Sequence, residues 1–151
     1  MRISYFSRSP ASAEVSNALE ARQASSLEDL AEESDIISLH VPGGAETRHL
    51  VNRKLLARMK PTAILVNTAR GPVVDEDALA EALNSGRLAA AGLDVYEHEP
   101  QVNPKLLASQ RAVLLPHLGS ATTEARVAMG MQVAANLAAY FDGRQPPDRV
   151  A

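Results

Sequence analysis

Three segments of this chain end an apolar run on a group that can do chemistry. In Val66-Asn67-Thr68-Ala69-Arg70-Gly71-Pro72, an arginine follows directly on an apolar stretch, and Gly71 and Pro72 tighten the turn. A guanidinium so placed can grip a carboxylate through two parallel hydrogen bonds, or it can pair at the surface with Asp75. In Gly92-Leu93-Asp94-Val95-Tyr96-Glu97-His98-Glu99-Pro100, Asp94 closes a strand and Glu99 follows five residues on, in a loop. Those carboxylates can orient a partner or simply be solvated. In Leu114-Leu115-Pro116-His117-Leu118-Gly119-Ser120, a histidine stands just past an apolar stretch, framed by proline and glycine. It suits proton transfer near neutral pH, or a structural role. Position is what links the three. Open parallel sheets bind ligands at the carboxyl ends of their strands, and chance does not often set Arg, Glu and His after three successive strands.

The elements that must position these groups alternate along the chain. Ile3 to Ser7 reads as a strand, stopped at Arg8-Ser9-Pro10. Ser25-Ser26-Leu27-Glu28 reads as a capping box opening a short helix from Leu27 to about Glu33. Asp35 to Val41 is a strand ended by Pro42-Gly43-Gly44, and Asn52 caps a helix containing Leu55, Leu56 and Met59 that Pro61 stops. Ala63 to Val66 is the next strand. Asp75 caps a helix over Glu76 to Asn84, with Gly86 as its stop, and Ala89 to Val95 is a strand of small residues. A loop holding Glu97, Glu99, Pro100 and Pro104 leads to a last strand, Ala112 to Leu115. A long helix from Ala121 to Phe141, capped by Ser120 or Thr122 and closed by Gly143, carries Val127, Met131, Ala134, Ala135 and Leu137 as its apolar stripe. Apolar strands without polar alternation predict burial on both faces, and intervening helices predict parallel crossovers. The expected fold is α/β, a doubly wound parallel sheet over residues 1–143, followed by an irregular tail at 144–151.

The segments NTARGPVVDEDAL, GLDVYEHEP and LPHLGSAT resemble the signature segments of the D-isomer specific 2-hydroxyacid dehydrogenases. The resemblance covers nearly the whole chain and implies that family's Rossmann-type nucleotide-binding domain. It implies that Arg70 binds the substrate carboxylate and polarises the 2-oxo group. His117 would protonate the carbonyl oxygen as hydride arrives, and Glu99 would bond His117 and hold it protonated near neutral pH. Asp94 would hydrogen-bond the nicotinamide carboxamide, with Thr68 and Ala69 at the same end of the cofactor. Val41 and Pro42 would line its path, Thr47 would assist, and Arg70, His117 and Gly119 complete the cofactor-contacting set.

Ser7-Arg8-Ser9 follows the first strand. In dinucleotide folds the corresponding strand ends in an acid when NAD is preferred, because a carboxylate takes the ribose hydroxyl and repels a phosphate. Here the residue is Arg8 with two flanking hydroxyls, which suits the 2′-phosphate of NADP, with NAD still possible. YFSRSP also resembles the NADPH-preferring hydroxypyruvate and glyoxylate reductases of the family. No G-x-G-x-x-G is present. The family places that loop, with its strand, between the strand of Ile3 to Ser7 and that of Ile36 to His40. A gap in the sheet, a gap filled from another chain, or a fold not stable by itself in solution is therefore expected. Also expected are exposed apolar side chains on the long helix, and no meaningful turnover from these residues alone. The resemblance further implies a cytoplasmic enzyme that acts on a small 2-oxo acid and is a homodimer at full length. A non-catalytic remnant, or a corepressor-like binding protein of the same superfamily, is the alternative.

Composition limits the other classes. The net charge of −3 with no basic block argues against a nucleic-acid partner. The absence of cysteine excludes a disulfide framework and a thiol nucleophile. No apolar run reaches the ~20 residues of a membrane span. His40, His49 and His98 have no metal-ligand spacing, so no metal is expected. His40 is read as making a local bond and His98 as solvated.

Overall fold

A computed structural model describes residues 1–150. Four parallel strands follow one another in chain order across the main sheet: β3 (Ile36–Leu39), β4 (Ile64–Asn67), β5 (Ala90–Leu93) and β6 (Ala112–Leu114). Register sets Leu39 beside Asn67, Asn67 beside Leu93 and Leu93 beside Leu114, so all four strands deliver their carboxyl ends to one edge. A separate pair, β1 (Ser4–Tyr5) with β2 (Arg22–Gln23), is also parallel. No ladder joins β1 to β3 among the described residues, so the expected gap is present. This is an α/β fold of the Rossmann type.

Helices α2 (Leu27–Glu33), α3 (Arg53–Leu56), α4 (Glu76–Asn84) and α5 (Pro104–Leu107) supply Ala31, Leu55, Leu56, Leu79, Leu83 and Leu106 to the core. The sheet meets them with Ile37, Leu39, Leu65, Ala91 and Leu93. The opposite sheet face is not covered to the same degree: Ile36 is 57% exposed and Val113 64%. The expectation of burial on both faces is therefore corrected. Strand hydrophobicity reports an aptitude for burial, and only the face opposed by these helices realises it.

Local signals explain most element ends. Ser26, not Ser25, caps α2, with its hydroxyl accepting from the Asp29 N–H at 3.0 Å. Asn52 caps α3 and Asp75 caps α4, as read from the sequence. Two helices and a strand are additions to the sequence reading. Helix α1 (Ala13–Ala18) is capped by Ser12, and Asn103-Pro104 opens α5 with an asparagine cap and proline at the first helical position. Strand β2 consists of Arg and Gln and carries no apolar signal.

The chain divides into two units, 1–116 and 117–151. In the second, Thr122 caps α6 (Thr123–Phe141). Gly143, at φ 69, ends it: Arg144 N–H donates to Ala139 O at 2.8 Å and Gly143 N–H to Tyr140 O at 3.1 Å. Val127, Met131 and Leu137 of the apolar stripe are exposed. From residue 144 to 150 there is no helix or strand, but Asp148 accepts from the side chains of Gln132 and Asn136.

Leu79, fully buried at the centre of the α4 face, tests where the core lies. Leu79→Ala should cost about 2–5 kcal/mol in urea unfolding, whereas Leu107→Ala on exposed α5 surface should stay within about 0.5 kcal/mol.

Candidate active site

Strand β4 ends on Asn67, only 1% exposed. Its Nδ2 donates to Arg70 O at 3.0 Å, and its Oδ1 accepts the Ala69 N–H at 3.1 Å. A primary amide carries both a donor and an acceptor, so one buried side chain fixes the backbone of Thr68, Ala69 and Arg70. Arg70 is exposed, with Nη1 donating to Ala69 O at 2.6 Å. Its stem passes over Gly43, where an added Cβ would lie 3.0 Å from Arg70 Cγ. The surface pair with Asp75 does not form among the described residues, because Asp75 caps α4 through a bond from the Ala78 N–H at 3.0 Å.

The next loop leaves β5 at Asp94, which is buried, with its N–H bonded to Asn67 O at 3.0 Å. Glu99 accepts the Tyr96 N–H at 2.9 Å, folding its loop back on itself. The Tyr96 hydroxyl donates to Leu115 O at 2.7 Å, tying this loop to the end of β6. Burial, reinforced by the negative charge of Asp94, pushes the Tyr96 phenol above its ordinary pKa. A Cβ on Gly71 would lie 1.8 Å from Tyr96 O, so the loop of Arg70 and the loop of Glu99 touch through backbone alone.

Sequence reasoning missed a carboxylate pair behind these loops. The Glu97 side chain, 12% exposed, accepts from Arg48 Nη2 at 2.6 Å and lies 2.8 Å from His49 Nε2. The Glu97 N–H donates to Glu76 Oε1 at 2.7 Å, and the His49 N–H to Pro72 O at 2.8 Å. Glu76 is buried, and loss of solvent pushes its carboxyl pKa up. The Glu97 N–H bond opposes that shift, and the Glu97 charge adds to it. The one available signal was an acid directly after the Asp75 cap, which also describes an ordinary solvated first turn.

The remaining predicted residues sit as follows. Ser7, Arg8 and Ser9 are exposed beyond β1, with the Ser7 hydroxyl donating to Ser9 O. Arg8 Nη1 pairs with Glu46 Oε2 at 2.9 Å. Val41 is half-buried and Pro42 exposed beyond β3, and Thr47 Oγ1 donates to Pro42 O at 2.7 Å. Thr68 is exposed. His40 Nε2 lies 2.9 Å from Ser38 Oγ, a local bond, and His98 is exposed. In the second unit, His117 has φ 55, followed by Leu118 and Gly119. Among the described residues no three His, Asp or Glu are grouped to hold a metal ion.

Two guanidinium groups thus stand at separate strand ends, Arg8 after β1 and Arg70 after β4. Residues 1–119 match the family described as D-isomer specific 2-hydroxyacid dehydrogenase, NAD binding domain. The chain belongs to that family. It is 51% identical over 152 residues to a glyoxylate reductase of Aeropyrum pernix, covering 99% of this chain and 44% of that protein. It is 54% identical over 123 residues to a glyoxylate reductase of Thermococcus litoralis, covering 82% and 37%. The chain thus spans under half the length of these curated relatives. Holo D-mandelate dehydrogenase of Rhodotorula graminis superposes with a TM-score of 0.90 at 39% identity, over 100% of this chain and 45% of that one. An NADPH-dependent glyoxylate/hydroxypyruvate reductase of Sinorhizobium meliloti, in complex with NADP and malonate, gives 0.85 at 40%, over 93% and 42%. The nucleotide-binding architecture is therefore that of the 2-hydroxyacid dehydrogenases.

Two variants test the loop geometry. Gly71→Ala must separate two backbones in contact and should cost about 1–3 kcal/mol in thermal or urea unfolding. Glu76→Gln keeps an acceptor for the Glu97 N–H without a buried charge. The raised carboxyl pKa of Glu76 means its contribution to stability is full at acid pH and is lost as pH rises through its folded value. Wild type should therefore weaken relative to Glu76→Gln as pH rises from below the ordinary carboxylate range through the raised value. A constant difference across that range would count against a buried Glu76 charge.

Proposed function

We propose that the chain is the cofactor-binding part of a reductase that converts small 2-oxo acids of the glyoxylate and hydroxypyruvate kind to D-2-hydroxy acids, with NADPH preferred over NADH. The observation that carries this is Arg70, an exposed guanidinium at the carboxyl end of β4 on a backbone that Asn67 fixes. Arg70 binds the substrate carboxylate in a two-pronged bond and stabilises the oxyanion that develops at C2. His117 is the group that gives its proton to that oxygen, with Glu99 as its proposed orienting partner. When bound, the reduced nicotinamide supplies the hydride that C2 receives. Asp94 would accept from the carboxamide, and Thr68 and Ala69 would touch the same end of the cofactor. Val41, Pro42, Thr47 and Gly119 would line its remaining length, with the ribose end at Ser7, Arg8 and Ser9. Glyoxylate reductases at about half identity, and the NADP complex of the Sinorhizobium meliloti enzyme, support the substrate class and the cofactor.

The 151 residues by themselves are proposed not to turn over. They contain no glycine-rich phosphate loop, and among the described residues no ladder joins β1 to β3. With no helix N-terminus offered to a pyrophosphate in that gap, dinucleotide affinity should be low.

A chimaera in which residues 1–151 replace the matching part of the Aeropyrum pernix enzyme supplies a turnover assay. It should reduce glyoxylate and hydroxypyruvate. His117→Ala should lower kcat by ~10²-fold or more, while an unchanged kcat would remove His117 as the acid. Arg8→Ala should cut the preference for NADPH by about 10- to 100-fold, and an unchanged preference would remove the cofactor assignment.

A further inference from the structure

The end of β1 carries no acid, yet a carboxylate reaches the same place from elsewhere. Glu46 lies in the 3₁₀ turn Ala45–Thr47 that follows β3, and its Oε2 stands 2.9 Å from Arg8 Nη1. The turn is held in place by Thr47 Oγ1, which donates to Pro42 O at 2.7 Å. The pair therefore bridges the break between the β1–β2 ladder and the main sheet, on the side where both β1 and β3 end. Both side chains are 83% exposed. An ion pair this open gains little from its attraction, so an incoming anion can exchange for the carboxylate at small cost.

We infer that Glu46 is a specificity-determining residue: it competes with a cofactor 2′-phosphate for Arg8, and so weakens the discrimination that Arg8 alone would give. The inference rests on the proposed role of Arg8 at the ribose end of the cofactor. Two effects act in the same direction. A 2′-phosphate must displace the Glu46 carboxylate from the guanidinium and then sit beside a like charge. A free 2′-hydroxyl instead finds an acceptor in Glu46, the service that a strand-end acid performs in NAD-preferring sheets. The site thus holds one group for each cofactor, delivered by different elements and bonded to each other.

The test uses the 151-residue chain and two probes: adenosine 2′,5′-bisphosphate, and adenosine 5′-monophosphate, which lacks the 2′-phosphate. Both are titrated by nuclear magnetic resonance, which reads weak affinities, with signals of Arg8 and Glu46 followed. Glu46→Gln should raise the affinity ratio of bisphosphate to monophosphate by about 2- to 5-fold, the size of one exposed ion pair. The gain should shrink when Arg8→Ala is added, because the competition for Arg8 is then gone. A Glu46→Gln ratio equal to wild type, or a gain of undiminished size in the double variant, would overturn the inference. The reading beneath it fails separately: if Arg8→Ala leaves the ratio unchanged, or the bisphosphate does not perturb Arg8, Arg8 is not the phosphate ligand and the inference falls with it. A ratio that drops in Arg8→Ala but does not move in Glu46→Gln removes the role of Glu46 alone.

Discussion

The backbone of Gly71 and the Tyr96–Glu97 peptide approach so closely that no side chain fits between them. The placement of the two carboxyl-edge loops follows from that contact. The loop of Arg70 is set from one side by the buried amide of Asn67 and from the other by Tyr96. The loop of Glu99 is set by the same approach, by the Glu76 bond to the Glu97 N–H, and by the Tyr96 hydroxyl at the end of β6. Each loop is thus a wall of the other. Arg70 and Glu99, more than twenty residues apart in the chain, are thereby carried on two loops whose backbones touch.

Much of the fold was legible because the signals were local. Apolar runs marked β3 to β6, and side-chain caps marked α2, α3, α4 and α6, because an orphan N–H near a hydroxyl or carboxylate is a short-range matter. The misses were also physical. Strand β2 is too short and too polar to show in its composition, and the cap of α2 falls one serine later than read. The sidedness of the sheet could not be read at all, since the two rows of β3, Ile36 with Ser38 and Ile37 with Leu39, differ in exposure only through what packs above them.

The candidate site divides in the same way. Arg70, Asp94 and His117 were conspicuous because each stands just past an apolar strand, and Glu99 because it lies in the loop that follows one. Glu76, Glu97, Arg48 and His49 were not, because their network depends on burial and on partners distant in the chain. A buried acid and a solvated acid look alike in sequence. Only the fold says which has lost its water, and with it the dielectric that makes an unpaired charge cheap.

His117 stands at φ 55, a left-handed conformation uncommon outside glycine, in which asparagine, aspartate and histidine are the most frequent exceptions. The main chain at this corner therefore admits few side chains, and the imidazole is one of them. Glycine at this position would relax the main chain while removing the ring. Under the proposed role of His117, ease of folding and proton delivery would draw on the same residue in opposite senses.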